Sequence, residues 1–62
     1  MRWKRDSSGW CHLDSDGRMV AGAWRQVSGT WYYFDAGGHM VTGRQVVGGK
    51  AYTFDSNGVW IG

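Results

Sequence analysis

The chain repeats itself three times, and that fact limits its folds more than any other. The segments WKRDSSGWCHLDSDGRMVAG (3–22), WRQVSGTWYYFDAGGHMVTG (24–43) and RQVVGGKAYTFDSNGVWIG (44–62) align in register. Trp3 and Trp24 lie 21 residues apart, as do Trp10 and Trp31, and Asp14, Asp35 and Asp55 follow at spacings of 21 and 20. Gly17, Gly38 and Gly58 coincide, and Met19, Met40 and Trp60 share one slot. Three copies, 3–23, 24–43 and 44–62, therefore fill almost all of the 62 residues. A short unit of this kind is one supersecondary element that cannot bury its apolar surface alone, so the copies must stack. A single compact core would be marginal at this chain length, and copy-to-copy contacts are expected to take its place.

Within each copy the local signals agree. A short strand, a two-residue turn and a second strand come first. Ser28-Gly29 and Gly48-Gly49 occupy the turns, where glycine relieves the cost of a positive φ, and Ser7-Ser8 fills the same slot with poorer turn chemistry. DSDG, DAGG and DSNG follow the second strand. Asp, Ser, Asn and Gly are turn formers, so these segments read as loops. No segment carries a helical period. The 11 glycines and the absence of proline fit short strands joined by tight turns. The fold class expected is all-β, a small solenoid of three stacked β-hairpins.

A two-residue turn fixes the register of the second hairpin. Val27 then faces Thr30, Gln26 faces Trp31, Arg25 faces Tyr32 and Trp24 faces Tyr33. Cross-strand partners share a face, and successive residues alternate. Trp24, Trp31 and Tyr33 gather on one side, and Tyr32, Phe34 and Val27 on the other. Across the copies the second face reads Cys11/Leu13, Tyr32/Phe34 and Tyr52/Phe54, apolar every time as a stacking core requires. The first face reads Trp3, Trp10, His12, then Trp24, Trp31, Tyr33, then Arg44, Ala51, Thr53. A core cannot lose its rings in one copy, whereas a ligand-binding face can. The first face is therefore expected to bind a ligand. The plainer readings are that its rings only supply buried area and that the last copy is polar because it caps the stack.

Other chemistry is thinly supported. The net charge of +2 is slight and its basic residues are scattered, so no nucleic-acid stripe is formed. No apolar run is long enough to cross a membrane. No signal peptide opens the sequence, and its start reads as a cut from a longer protein. The lone Cys11 forms no internal disulfide and, in the Tyr32 slot, reads as a buried, inert side chain. His39 stands in a loop where the other copies carry Arg18 and Val59, and His12 occupies an aromatic slot as a weak cage wall. DSDG begins like a calcium loop, but its glycine comes too early and no bidentate Glu follows. No P-loop and no Cys/His metal spacing is present. Neither a catalytic set, a metal site nor a cofactor is expected.

The pattern W-x-x-x-x-G-x-W-Y-Y-F-D-x-x-G-x-M-x-T-G, carried nearly whole by residues 24–43, resembles the cell-wall-binding, or choline-binding, repeats of Gram-positive surface proteins. Glucan-binding repeats and clostridial toxin repeats are similar relatives. The resemblance covers residues 3–62. Copy one departs from it at CHL, and copy three at Arg44, Ala51 and Thr53. It implies a left-handed hairpin solenoid with ligand sites between consecutive hairpins, walled by two Trp of one copy and a ring of the next, with the copy's Met as floor. One site would then use Trp3, Trp10 and Met19 with Tyr33 or Tyr32. A second would use Trp24, Trp31 and Met40, with a third wall from copy three, where Tyr52 is the one ring carried over. It further implies a choline or wall-glycopolymer partner and an extracellular, wall-associated setting, and a homodimer is compatible with it.

Choline suits such walls. A quaternary ammonium donates no hydrogen bond and is held by ring faces, at about 0.5–2 kcal/mol each. A thioether is soft and fills the remaining gap. The same rings can pack on the apolar face of a sugar. Three readings follow: a non-catalytic choline-binding module anchoring a larger secreted protein, a glucan-type carbohydrate-binding module, and a structural spacer with vestigial sites.

Overall fold

A computed structural model describes residues 2–7 and 9–62. Six five-residue strands make three separate antiparallel hairpins. β1 (Arg2–Asp6) pairs with β2 (Gly9–Leu13), β3 (Ala23–Val27) with β4 (Thr30–Phe34), and β5 (Gly43–Val47) with β6 (Lys50–Phe54). The all-β expectation holds, and so does the register. Trp24 faces Tyr33, Arg25 faces Tyr32, Gln26 faces Trp31 and Val27 faces Thr30. Equivalent pairs recur as Trp3↔His12 and Arg44↔Thr53. Both residues of each later turn have positive φ: 51° at Ser28 and 81° at Gly29, 61° at Gly48 and 82° at Gly49. Those values match a mirror-image turn, whose twist agrees with that of the strands. In copy one Asp6 pairs with Gly9 on either side of the expected Ser7-Ser8 turn, of which Ser8 lies outside the described residues.

The loops after the hairpins are built on one device. Oδ1 of Asp14 accepts from the N–H groups of Asp16 and Arg18 at 2.9 and 3.1 Å. Asp35 does the same for Gly37 and His39, and Asp55 for Asn57 and Val59. The carboxylate mimics a backbone turn, and this explains why aspartate recurs there. Each loop then folds back on its own hairpin, where Leu13, Phe34 and Phe54 bridge Met19, Met40 and Trp60.

Adjacent copies are tied by backbone hydrogen bonds. The N–H of Met40 donates to the carbonyl of Trp10 at 2.7 Å, and that of Trp60 to Trp31 at 3.0 Å. Gly22 donates to Asp35 at 2.8 Å. The apolar interior is a row of single layers between hairpins: Cys11, Val20, Phe34, Val41 and Phe54 are buried, with His12 beside them. Glycine is required at Gly38 and Gly58. Both have φ of +85°, and a Cβ on Gly38 would meet the Met19 side chain at 3.0–3.2 Å. A Cβ on Gly58 would overlap Met40. The methionine of one copy thus lies across the loop glycine of the next.

Candidate functional site

The hairpins stack with unlike faces together, and this corrects the division into a core face and a ligand face. Trp3, from the first face of copy one, packs on Tyr32 and Phe34, from the second face of copy two, with ring centroids 4.9 and 5.7 Å apart. Trp24 repeats the contact on Tyr52 and Phe54 at 5.0 and 5.5 Å. Face one of each hairpin thus meets face two of the next. Every junction therefore holds both ring sets. Phe34 and Phe54 close the bottom, 0% and 2% exposed. Tyr32 and Tyr52, two residues earlier and nearer the rim, stay half-buried and line a cavity.

The first cavity, about 290 Å³, is lined by Trp3, Trp10, Tyr32, Met40, Ser56 and Asn57. Trp3 and Trp10 stand at 89° to one another, and Trp3 and Tyr32 at 74°, so the rings form the sides of a box. The second cavity, about 340 Å³, is lined by Trp24, Trp31, Tyr52 and Trp60. Trp24 is set at 78° to Trp31, 72° to Tyr52 and 79° to Trp60. Both volumes fall near the lower end for small-molecule sites. Trp10 and Trp31 remain 41% and 39% exposed, so the boxes open to solvent. No carboxylate, His or Cys is among these lining residues.

Of the nine residues expected in two sites, the structure gathers Trp3, Trp10 and Tyr32 in one cavity and Trp24, Trp31 and Tyr52 in the other. Met40 moves from the expected second group to the first, and Met19 joins neither. The cause is the Met40–Trp10 backbone hydrogen bond, which sets the loop of copy two beside the second strand of copy one. The floor residue therefore comes from the following copy. Met19 lies instead against the site of a Gly38 Cβ and is 48% exposed. Tyr33 is drawn away from the cavities onto its cross-strand partner Trp24, at 5.3 Å. His12 is no rim wall. It is 2% exposed, between Trp3 at 4.8 Å and Phe34 at 5.9 Å. Burial, with the positive charge of Arg25 adding to it, lowers its pKa from the ordinary value of 6.5.

Three lining residues were not anticipated. Trp60 takes in copy three the slot that Met40 takes in copy two, and the repeat alignment already contained that signal. Ser56 and Asn57 reach the first cavity from two copies away, and nothing in a pairwise register points to them. Cations already rest on the rings: the Arg5 guanidinium lies 5.8 Å from the Trp10 centroid and the Lys50 ammonium 5.6 Å from that of Tyr52.

The arrangement matches known repeats. A family model described as choline-binding repeat matches residues 3–44 and again residues 20–60. No curated protein matches the chain. Among solved structures, choline binding protein F from Streptococcus pneumoniae is 40% identical over 95% of this chain and 20% of its own, with a TM-score of 0.86. An endolysin from phage Cp-1, complexed with choline, is 27% identical over 97% of this chain and 24% of its own, at 0.74. An alternansucrase in complex with isomaltononaose is 27% identical over 95% of this chain and 5% of its own, at 0.76. This chain thus spans about a fifth of the length of choline binding protein F. Repeat register, hairpin stacking and the family match agree: the chain belongs to the choline-binding repeat family.

Proposed function

We propose that the chain is a non-catalytic module that binds choline groups of cell-wall polymers in the two junction cavities. The observation that carries this reading is the pairing of near-perpendicular ring walls with an absence of carboxylate from both linings. A primary ammonium in either box would find no carboxylate to pair with, and in the second it would meet rings alone, whereas a trimethylammonium needs no hydrogen-bond acceptor. Three rings and a thioether in the first cavity, and four rings in the second, present the negative faces a quaternary cation requires. The choline complex of the similar phage endolysin supports the choice of ligand. The linings carry neither a nucleophile–base pair nor a paired carboxylate, so binding and not turnover is the role assigned. In a longer protein the module would act outside the cell, attached to the wall.

A sugar ligand is the second reading, favoured by the likeness to an alternansucrase in complex with isomaltononaose. Tryptophan fluorescence distinguishes the two, because all five Trp of the chain line one or the other cavity. Saturable quenching by choline, with none by isomaltononaose, is the expected result. A response to the oligosaccharide alone would replace choline with sugar, and silence toward both would leave a structural spacer.

A further inference from the structure

Away from both cavities, stacking assembles three side chains that the sequence keeps far apart. Asp6 ends β1, Cys11 lies in β2, and His39 sits in the loop of copy two, 33 residues beyond Asp6. His39 Nε2 lies 3.1 and 3.0 Å from the two carboxylate oxygens of Asp6. The Cys11 thiol donates to Asp6 Oδ2 at 3.6 Å. The three ligand atoms all lie within 4.8 Å of one another. The Gly9 N–H donates to Asp6 Oδ1 at 3.1 Å and orients the carboxylate.

We propose that Asp6, Cys11 and His39 form a three-ligand site for a zinc-class divalent ion that clasps copy one to copy two. A tetrahedral zinc with bonds of about 2.3 Å to sulfur and about 2.0–2.1 Å to oxygen and nitrogen separates its sulfur and oxygen ligands by about 3.5 Å. The observed sulfur–oxygen distance is 3.6 Å. One thiolate, one imidazole and one carboxylate suit zinc over magnesium or calcium, which prefer oxygen alone. Charge also balances: one thiolate and one carboxylate neutralise a divalent ion. On binding, the thiol proton passes to solvent, and the neutral imidazole keeps its proton on Nδ1 while Nε2 turns its lone pair to the metal. Water takes the fourth position from the Asp6 side, where the carboxylate is 42% exposed.

The trio is unsuited to act as a nucleophile. The thiol faces the carboxylate and not the imidazole, and Cys11 is 1% exposed. Burial, followed by the Asp6 charge, raises the thiol pKa, so without a metal the thiolate is scarce. A bound cation reverses that effect by stabilising the thiolate directly. The second junction has no counterpart, since Val27, Tyr32 and Val59 take the slots of Asp6, Cys11 and His39.

The test is titration of the reduced 62-residue chain with Zn²⁺ and with Co²⁺ as its spectroscopic substitute. The expected result is one ion per chain, with a thiolate-to-cobalt charge-transfer band and the intense visible bands of tetrahedral cobalt. C11S and H39R should each weaken zinc by more than the 10–100-fold that loss of an outer-sphere partner costs. H39R puts a guanidinium beside Asp6 and restores the Arg18 type of copy one, so the fold has a route to survive it. A measurement on the unaltered chain guards against misfolded variants: zinc should move the ¹⁵N resonance of His39 Nε2 and leave His12 in place. Cobalt spectra without a thiolate band, zinc affinity equal in the wild type and both variants, or a shift at His12 in place of His39 would each overturn the proposal.

Discussion

At the scale of the residue, burial separates side chains that the sequence places side by side. Phe34 is wholly buried and Trp31 is 39% exposed at the rim of the second cavity. Phe34→Ala should cost about 3–5 kcal/mol, because it removes a ring from a layer with no second shell to relax into it. Trp31→Ala should instead cut choline affinity while shifting the thermal midpoint much less. Equal destabilisation by both, with affinity intact, would refute the roles given to these rings. His12 makes the second residue-level prediction. Its pKa is lowered in the fold, chiefly by burial, and among the described residues its Nδ1 finds no hydrogen-bond partner. The unfolded state therefore takes up the proton first. The contribution of neutral His12 is fully present above its ordinary value of 6.5 and is lost as pH falls through and below that value. Thermal midpoints should drop between pH 7.5 and pH 5, and His12→Tyr, the residue of the equivalent position Tyr33, should flatten the drop. An unchanged pH profile in that variant would place the acid sensitivity elsewhere.

At the scale of the element, the hairpins were legible and their meeting was not. Turn glycines, period-two alternation and the copy alignment all point to one register, and Trp24↔Tyr33 and Val27↔Thr30 follow from it. The loop aspartates were legible too, since a carboxylate bonding two residues onward is a local property. The exchange of Met19 for Met40 was hidden because it depends on an inter-copy hydrogen bond, Met40 to Trp10, which no single copy encodes. Two substitutions probe this scale. Ser28 holds φ of 51° where most side chains are strained, so Ser28→Asn, giving Asn-Gly, should stabilise hairpin two by up to about 1 kcal/mol. Unfolding in urea would show it, and a lower midpoint would contradict the turn geometry. Gly58→Ala should destabilise by about 1–2 kcal/mol from the left-handed backbone alone. It should also displace Met40, whose side chain occupies the space of the new Cβ. Choline affinity at the first cavity should fall as well, although residue 58 does not line it. Loss of stability with unchanged affinity would mean that Met40 is no part of the floor.

At the scale of the whole molecule, three hairpins give two junctions, and the junctions are not equivalent. The sequence reading leaves the second one short of a wall, because Arg44, Ala51 and Thr53 replace the rings of the earlier copies. In the stack those three positions belong to the outward face of copy three. The wall that matters comes from its other face, through Tyr52, and from its loop, through Trp60. The second cavity thus has four ring walls where the first has three and a thioether. At about 0.5–2 kcal/mol per ring, the extra wall should make the second junction at least as strong as the first, even though Ser56 and Asn57 help to enclose only the first. Trp60→Ala and Trp3→Ala separate the two. Trp60 is 42% exposed and its inter-copy bond runs through the backbone N–H, so removing the ring leaves that tie in place. Calorimetry should find two choline sites in the unaltered chain and one after Trp60→Ala, with the surviving site keeping its affinity. Trp3→Ala should spare the second junction, but at a greater cost in stability, since Trp3 also packs on Phe34 and His12. Two sites persisting after Trp60→Ala would show that Trp24, Trp31 and Tyr52 suffice as a cage.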